Sequence, residues 1–336
     1  MENSGTEEKW RLLVTGGCGF IGFNFCMLAI SRGYDVTIID NLSREGSREN
    51  KEYLERWCDN IIVDPIESYF WLDNLDISSY KAVVHLAAQT AVTTSVANPW
   101  EDFRTNAHGT FNLLTSLQEK DFQGLFINVA SNKVYGNIDC KLVTEETRYT
   151  TVNRKPGFDE NTQLSGCTPY GVSKLCADQY ALDFANTYGM NTISLRQSCI
   201  YGENQNGSFD QGWLSHFSKL IKKDEPVKIC GDGKQVRDIL HVDDLADLYL
   251  KLIEGNYKEM KGQAFNVGGG FENSVSILET LYDMEIILDK KIEKEFLPWR
   301  PNDQRYYVSD NAKVARLAGW VPKISSMQGL RRLCGI

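Results

Sequence analysis

The chain reads as an α/β protein, a Rossmann-like doubly wound parallel sheet with a smaller C-terminal substrate-binding lobe. Three observations predict this. Short apolar runs alternate with helical patterns through the first half, the arrangement of a parallel sheet covered on both faces. A glycine-rich turn, Thr15-Gly16-Gly17-Cys18-Gly19-Phe20-Ile21-Gly22, leads straight from the first apolar run into an apolar helix. Asp40 then closes the second run about 20 residues later, the spacing of an acidic residue that binds a ribose.

The elements follow in order. Residues 11–15, 36–40, 60–64, 82–86 and 125–129 are β-branched or aliphatic runs and are predicted as buried strands. A helix from residue 23 to 31 follows the glycine turn. Pro99 opens another, with Phe103, Leu113, Leu114 and Leu117 among its apolar positions. A long helix is predicted from about residue 170 to 188, then a strand at 191–197. Residues 1–198 are therefore read mainly as a dinucleotide-binding domain and 199–336 mainly as the lobe. A late strand near 263–268 returns to the sheet. Much of the glycine-broken stretch 200–260 and of the region from 274 onward is assigned to the lobe, packed on the sheet's carboxyl edge, where clefts form.

Composition narrows the function. The 336 residues are 42% hydrophobic, enough for a sizeable core. A net charge of -9 disfavours a nucleic-acid partner. Residues 1–9 are polar and acidic rather than signal-like, and no apolar run approaches the roughly 20 residues of a membrane span. The expectation is a cytoplasmic protein that engages neither membrane nor nucleic acid. Nine cysteines without a C-x-x-C pair, and four histidines without H-E-x-x-H, predict free thiols and no metal site. Cys18 and Cys167 are read as small packing residues.

Each glycine of the turn has a separate role. Gly16 permits the tight bend, Gly19 lets backbone approach a pyrophosphate, and Gly22 allows helix and strand to touch. No Gly-Lys-Ser/Thr ending follows, which disfavours a Walker loop. The Asp40 carboxylate would repel a 2′-phosphate, so NAD is expected over NADP. Phe20, Ile21, Asn41, Ser43, Arg44, Asp64, Leu86, Ala87, Ala88 and Gln89 complete the expected cofactor surface around these strand ends.

Tyr170 and Lys174 stand one helical turn apart, so they share a face. An ammonium there would lower the phenol's pKa and make it a usable base for an alcohol proton. The spacing alone is common. Its weight comes from the glycine turn, Asp40, His85-Leu86-Ala87-Ala88, Asn106, Ser131 before Val134-Tyr135-Gly136, and Arg237-Asp238, all in order along the chain.

On these motifs the chain resembles the extended short-chain dehydrogenase/reductase family of nucleotide-sugar epimerases and dehydratases. The resemblance implies tightly held NAD, regenerated each cycle. It makes Tyr170 the acid–base group, has Lys174 hold the nicotinamide ribose, and puts Ser131 on the reacting hydroxyl. Asn106 and Gln197 join the cofactor set. Dehydratases of the family place aspartate and glutamate directly after the catalytic hydroxyl residue. Here Asn132 and Lys133 stand instead, which argues against loss of water and leaves alcohol oxidation and re-reduction.

Further words lie outside the shared motifs, including Ser131-Asn132-Lys133-Val134-Tyr135-Gly136, Glu146-Thr147-Arg148-Tyr149-Thr150 and Asp210-Gln211-Gly212-Trp213. They resemble the branch that inverts C2 of CDP-linked 3,6-dideoxyhexoses, which implies a CDP-sugar substrate. UDP-sugar 4-epimerisation is the alternative. Thr93, Ser95, Asn132, Lys133, Arg148, Cys199, Gln211, Trp213, Arg237, Arg300 and Asp303 are the expected substrate contacts. The arginines would clamp the diphosphate. Residues 137–169, far longer than an ordinary α/β loop, are expected to fold over the sugar and offer Arg148, Tyr149 and Asp159. The family also implies a homodimer or homotetramer, paired through the helices that begin near Pro99 and Tyr170.

Overall fold

The computed structural model describes residues 10–68, 70–152, 157–300 and 303–336. The chain begins β1 (Arg11–Thr15), α1 (Phe20–Ser31), β2 (Asp35–Asp40), α2 (Ser47–Leu54), β3 (Ile61–Val63), β4 (Tyr80–His85), α3 (Val92–Ala97), α4 (Pro99–Asp102), α5 (Gly109–Glu119) and β5 (Leu125–Ser131). A hairpin, β6 (Leu142–Thr144) and β7 (Tyr149–Thr151), precedes α6 (Thr168–Tyr188), β8 (Thr192–Gln197) and β9 (Cys199–Tyr201). Then come α7 (Trp213–Lys222), β10 (Val227–Cys230), β11 (Val236–His241), α8 (Val242–Glu254), β12 (Gln263–Val267), β13 (Ser274–Ser276) and α9 (Ile277–Leu288). β14 (Lys294–Leu297), β15 (Tyr306–Tyr307), α10 (Ala312–Ala318) and α11 (Ser326–Cys334) complete the chain.

The main sheet has the order β12-β8-β5-β4-β1-β2-β3, every pair parallel. Strand order reverses between β1 and β4, and a crevice opens at their carboxyl ends, where ligands bind such sheets. Alternation along β1 shows why both faces must be covered. Leu12 and Val14 enter one core with Phe25 and Tyr249, while Leu13 enters the other with Leu113, Leu117 and Phe184.

Part of the stretch 200–260 lies outside the lobe, since α8 packs on α1 in the sheet's own core, with Phe25 and Tyr249 edge-to-face at 5.2 Å. Val314 of α10 and Trp320 join the same core. The apolar face of α8 (Leu245, Leu248, Tyr249, Leu252) is what a sheet face requires, and Gly255 ends the helix. The lobe core is Leu214, Phe217, Ile221, Val227, Ile229, Leu281, Met284 and Leu330. Its β11 pairs in parallel with β9 and β15 and antiparallel with β13.

The long segment after β5 is also different from a free cover. Arg148 donates to the Ser274 carbonyl and hydroxyl, both at 3.0 Å, and faces Glu279. Tyr149 donates to Asp232 at 2.6 Å, and Asp159 accepts from the Asn161 amide. The Phe158 amide donates to the Val308 carbonyl, while Glu160 accepts from the Asn266 amide. Arg148 and Tyr149, two of the side chains expected over the sugar, tie this segment to the lobe, while Asp159 bonds within the segment, which clips lobe and sheet together. Residues 153–156 of it lie outside the described residues.

Candidate active site

A single cavity of about 590 Å³ runs along the carboxyl ends of the sheet, from the glycine turn to the start of α6. Gly16, Gly19, Phe20, Ile21, Gly22, Asp40, Asn41, Ser43, Arg44, Asp64, Leu86, Ala87, Ala88, Gln89, Ser131, Tyr170, Lys174, Gln197 and Gln211 all line it. Residues read from separate motifs therefore meet on one surface.

The glycine turn fits a dinucleotide for steric reasons. A Cβ at Gly16, where φ is +70°, would meet Ala87 backbone at 2.6 Å, and one at Gly22 would meet the Gly16 carbonyl at 2.2 Å. Gly19 is different, since its nearest neighbour would be the Gly16 carbonyl at 3.3 Å and it borders the cavity. Its bare backbone thus stands at the N-terminus of α1, where amide groups and the helix dipole favour a phosphate. Asp40 holds the turn from below, accepting from the amides of Cys18 at 3.0 Å and Leu42 at 2.8 Å. Burial raises its pKa while those bonds pull it down. A carboxylate has lone pairs left for ribose hydroxyls.

Asn106 does not line the cavity. It sits in a π-helical turn (Phe103–His108), accepts from the Gln89 amide at 2.9 Å and donates to the Gln89 carbonyl at 3.0 Å. The same amide group reaches Asp102 and Ser173, each at 3.1 Å. Its place is behind the cofactor surface, fixing the backbone that borders it. His85 forms another such brace, with Nδ1 at 2.7 Å from Thr15 Oγ1 and Nε2 at 2.9 Å from Thr110 Oγ1. Thr110 gives its hydroxyl proton to the Asn106 carbonyl, so the ring donates from Nε2 and accepts at Nδ1. Burial lowers the ring's pKa to about 3 and keeps it neutral.

Tyr170 enters at the first turn of α6, after Pro169, and the Ser95 hydroxyl accepts from its backbone amide at 3.1 Å. Ser95 is fully buried and donates to the Val92 carbonyl, so both roles position the helix; it does not line the cavity. Thr93 is exposed on α3 and also stands away from the cavity. Thr168, just before Tyr170, has φ +65°, a strained conformation for a β-branched residue. A buried ion pair anchors the helix further along, Asp178 to Arg196 at 2.8 Å, extended by Tyr135 and Ser194.

Burial raises the Tyr170 phenol to about 12; its hydrogen bond with Ser131 and the Arg44 cation pull it down, and Asp102 pushes it up. Ser131 and Arg44 are the groups that lower the phenol, while the Lys174 ammonium, lowered to about 8 by burial, lies in the fields of Asp102 and Asp178.

On the lobe side, Lys133 donates to Gln304 Oε1 at 3.1 Å, and its own amide donates to Ser131 Oγ at 3.3 Å. Arg237 pairs with Asp303 at 2.9 Å. Burial and the Arg237 charge lower Lys133 to about 8, with Asp303 opposing. Cys199 adjoins this cluster, with the Trp213 indole hydrogen-bonded to its sulfur. Asn132 is buried and lies 3.3 Å from Ser131 Oγ. Arg300 is turned outward, over the Phe209 ring at 4.4 Å, and donates to the Phe209 carbonyl. Arg148, as described, is held elsewhere and leaves the set.

Sequence reasoning missed several lining groups, among them Asn50, Thr90, Ser198, Asn204, Gln205 and Asn206. Gln304 beside Lys133 was missed as well. Lone amides and hydroxyls in irregular segments carry no spacing signal. Glu203, His241 and Asp243 also cluster closely enough to suggest metal ligands. However, His241 Nδ1 accepts from the Asp243 amide, its Nε2 faces Glu203 at 3.1 Å, and Asp243 pairs with Arg332. Two of the three groups are thus already engaged within the protein, His241 through Nδ1 and Asp243 through Arg332.

A crevice at the carboxyl ends of a parallel sheet, opened by a glycine turn and bordered by Ser131, Tyr170 and Lys174, has the layout of a Rossmann-type hydride-transfer enzyme. Residues 12–268 match the NAD dependent epimerase/dehydratase family, and the chain belongs to that family. It is 40% identical over 332 residues to a CDP-paratose 2-epimerase of Salmonella typhi, covering 96% of this chain and 98% of that one. A putative UDP-glucose 4-epimerase of Methanocaldococcus jannaschii is 31% identical, with 96% of both chains covered. Among solved structures, the UDP-glucose 4-epimerase of Thermotoga maritima with UDP-glucose superposes with TM-score 0.83 at 29% identity, covering 97% of each chain. The UDP-glucuronic acid 4-epimerase of Bacillus cereus, in complex with UDP-glucuronic acid and NAD, gives 0.81 at 26%, covering 97% of this chain and 98% of that one. No helix among the described residues is long and apolar enough to cross a membrane.

Proposed function

We propose that the protein is an NAD-dependent epimerase that interconverts CDP-paratose and CDP-tyvelose by inverting C2. The observation that carries this reading is the meeting of Ser131, Tyr170 and Lys174 with the glycine turn in one cavity, joined to whole-length similarity to a CDP-paratose 2-epimerase. The glycine turn, Asp40 and the strand-end residues 86–89 would hold NAD, which supplies an acceptor for a hydride and returns it. Ser131 orients the C2 hydroxyl, and Tyr170 takes its proton as the 2-keto sugar forms. Rotation of the sugar with its nucleotide anchored presents the other face, and Tyr170 gives the proton back. Net redox change is zero. Asn132 and Lys133 supply no carboxylate pair for expelling water, which supports epimerisation over dehydration.

The phenol must lose its proton more easily than a pKa of about 12 allows. Arg44 and Ser131 already act in that direction, and the positive charge of oxidised NAD, when bound in this cavity, would act the same way. Lys174 serves best as a ribose donor.

The reading extends to assembly and location. Trp100, Phe103, Phe111, Val172 and Tyr180 are exposed on α4, the π turn, α5 and α6, a stripe suited to pairing with a second copy. The nine cysteines are free, in keeping with a reducing cytoplasm.

The test is incubation of NAD-loaded protein with CDP-paratose, CDP-tyvelose, CDP-glucose and UDP-glucose, with the epimers separated. Inversion at C2 of a CDP sugar is expected. Inversion at C4 restricted to UDP sugars would overturn the assignment.

A further inference from the structure

The buried cations beside Ser131 have no role in the hydride step, yet burying charge without a partner is costly. Lys133 is mostly enclosed, and its hydrogen-bond partner is the neutral amide of Gln304 at 3.1 Å. The nearby carboxylate of Asp303 is taken by Arg237 at 2.9 Å. Lys133, Arg237 and Asp303 together carry one excess positive charge, and Lys133 follows the end of the catalytic strand by two residues. Such an arrangement is completed by an anion.

The position of that anion has chemical consequences. Lys133 is two residues from Ser131, and its amide donates to Ser131 Oγ at 3.3 Å. Ser131 caps the turn that carries Lys133, so a phosphate on the Lys133 side chain and a hydroxyl on Ser131 would belong to neighbouring parts of one ligand. In a nucleotide sugar the C2 hydroxyl is vicinal to the anomeric carbon that carries the phosphate. The C4 hydroxyl lies across the ring. A cation borne two residues from the catalytic serine suits a sugar oxidised at C2. Arg300, stacked on Phe209 farther out, suits the nucleotide end.

We propose that Lys133, backed by Arg237, binds the sugar-linked phosphate and so fixes the register that presents C2 rather than C4 to Ser131 and Tyr170. This rests on the C2-epimerase reading, but the phosphate contact is separately measurable. Lys133 is thus a specificity-determining residue, and Gln304 holds its side chain in place.

The experiment compares wild type, Lys133→Met and Lys133→Arg, each checked for bound NAD and melting temperature. Calorimetry with CDP alone reads the phosphate contact without reference to the sugar. Formation of NADH with CDP-paratose deuterated at C2 or at C4 reads the register. The methionine variant is expected to lose CDP affinity on the order of 30-fold or more, with arginine restoring part of it. Wild type should be slowed only by the C2 label, and the methionine variant should lose that selectivity. CDP affinity and C2 selectivity both within twofold of wild type in a folded, NAD-bearing methionine variant would overturn the proposal. So would intact CDP affinity with loss of turnover alone, which would put Lys133 on the sugar. Wild type inverting C4 instead would overturn the C2 reading and the register claim, while the CDP measurement would still judge the phosphate contact.

Discussion

The cofactor half of the cleft and the sugar half are built in opposite ways. The cofactor half is mostly backbone: a glycine turn, two strand ends and the residues directly after them, each fixed by local geometry. The sugar half is made of side chains drawn from distant parts of the chain, with Lys133 meeting Gln304 and Arg237 meeting Asp303. Local geometry constrains residue type within a short word, whereas a long-range meeting of side chains leaves no word to read. A family can therefore keep one half and vary the other, which fits whole-length similarity to proteins named for different nucleotide sugars.

The sharpest break between the halves comes at Tyr170, which belongs to both. Tyr170→Phe keeps the ring and its packing but removes the acid–base group. Turnover should fall about 10²–10⁴-fold, with NAD content and melting temperature retained. Turnover at the wild-type rate would show that another group moves the proton.

Beneath both halves lies the buried pair that locks α6 to the sheet. In Asp178→Asn the Arg196 guanidinium stays buried and loses its charge partner. Denaturant unfolding should show about 3–5 kcal/mol less stability. A loss near zero would mean that Tyr135 and Asn266 suffice to hold Arg196.

His85 tests the cofactor half alone. Its folded pKa, about 3, lies below the ordinary value of 6.5, so between those values only the unfolded chain binds the proton. Its contribution is complete above about pH 6.5 and is lost progressively as pH falls toward 3. Between pH 6.5 and pH 5 this amounts to about 2 kcal/mol. His85→Gln should flatten that part of the stability–pH curve, and an unchanged slope would assign the acid sensitivity to other groups.

The same contrast explains what the sequence made legible. Strand runs, the glycine turn, Asp40 and the Tyr170–Lys174 spacing are short-range patterns, and the fold places them on one cavity. Asn106 and Ser95 were recognised by position but are set one layer back, since a buried amide or hydroxyl is as useful for fixing backbone as for touching a ligand. Lys174 shares a helix with Tyr170 as the spacing predicted, and the fold adds what spacing cannot show, the Asp102 and Asp178 carboxylates whose fields reach its ammonium. The apolar period of α8 was present in the sequence, but a period does not say which of two cores a helix joins.

Arg148 gives the finest test, because charge and position in a matching word made it a substrate contact while the fold puts it elsewhere. Its bonds to Ser274 and its approach to Glu279 join the β6–β7 hairpin to the lobe, and partly exposed bonds of this kind are worth about 1 kcal/mol. Arg148→Ala should lower stability by about that amount and leave the Michaelis constant for the CDP sugar within twofold. Arg237→Ala, made in parallel, removes a buried cation from the serine side of the cleft and should raise that constant at least tenfold. Equal effects from the two arginines would erase the distinction, since both would then reach the diphosphate and the hairpin would be part of the sugar site. Unequal effects in the stated direction would place the hairpin outside it, holding the lobe at the distance from Ser131 at which Lys133 and Arg237 converge.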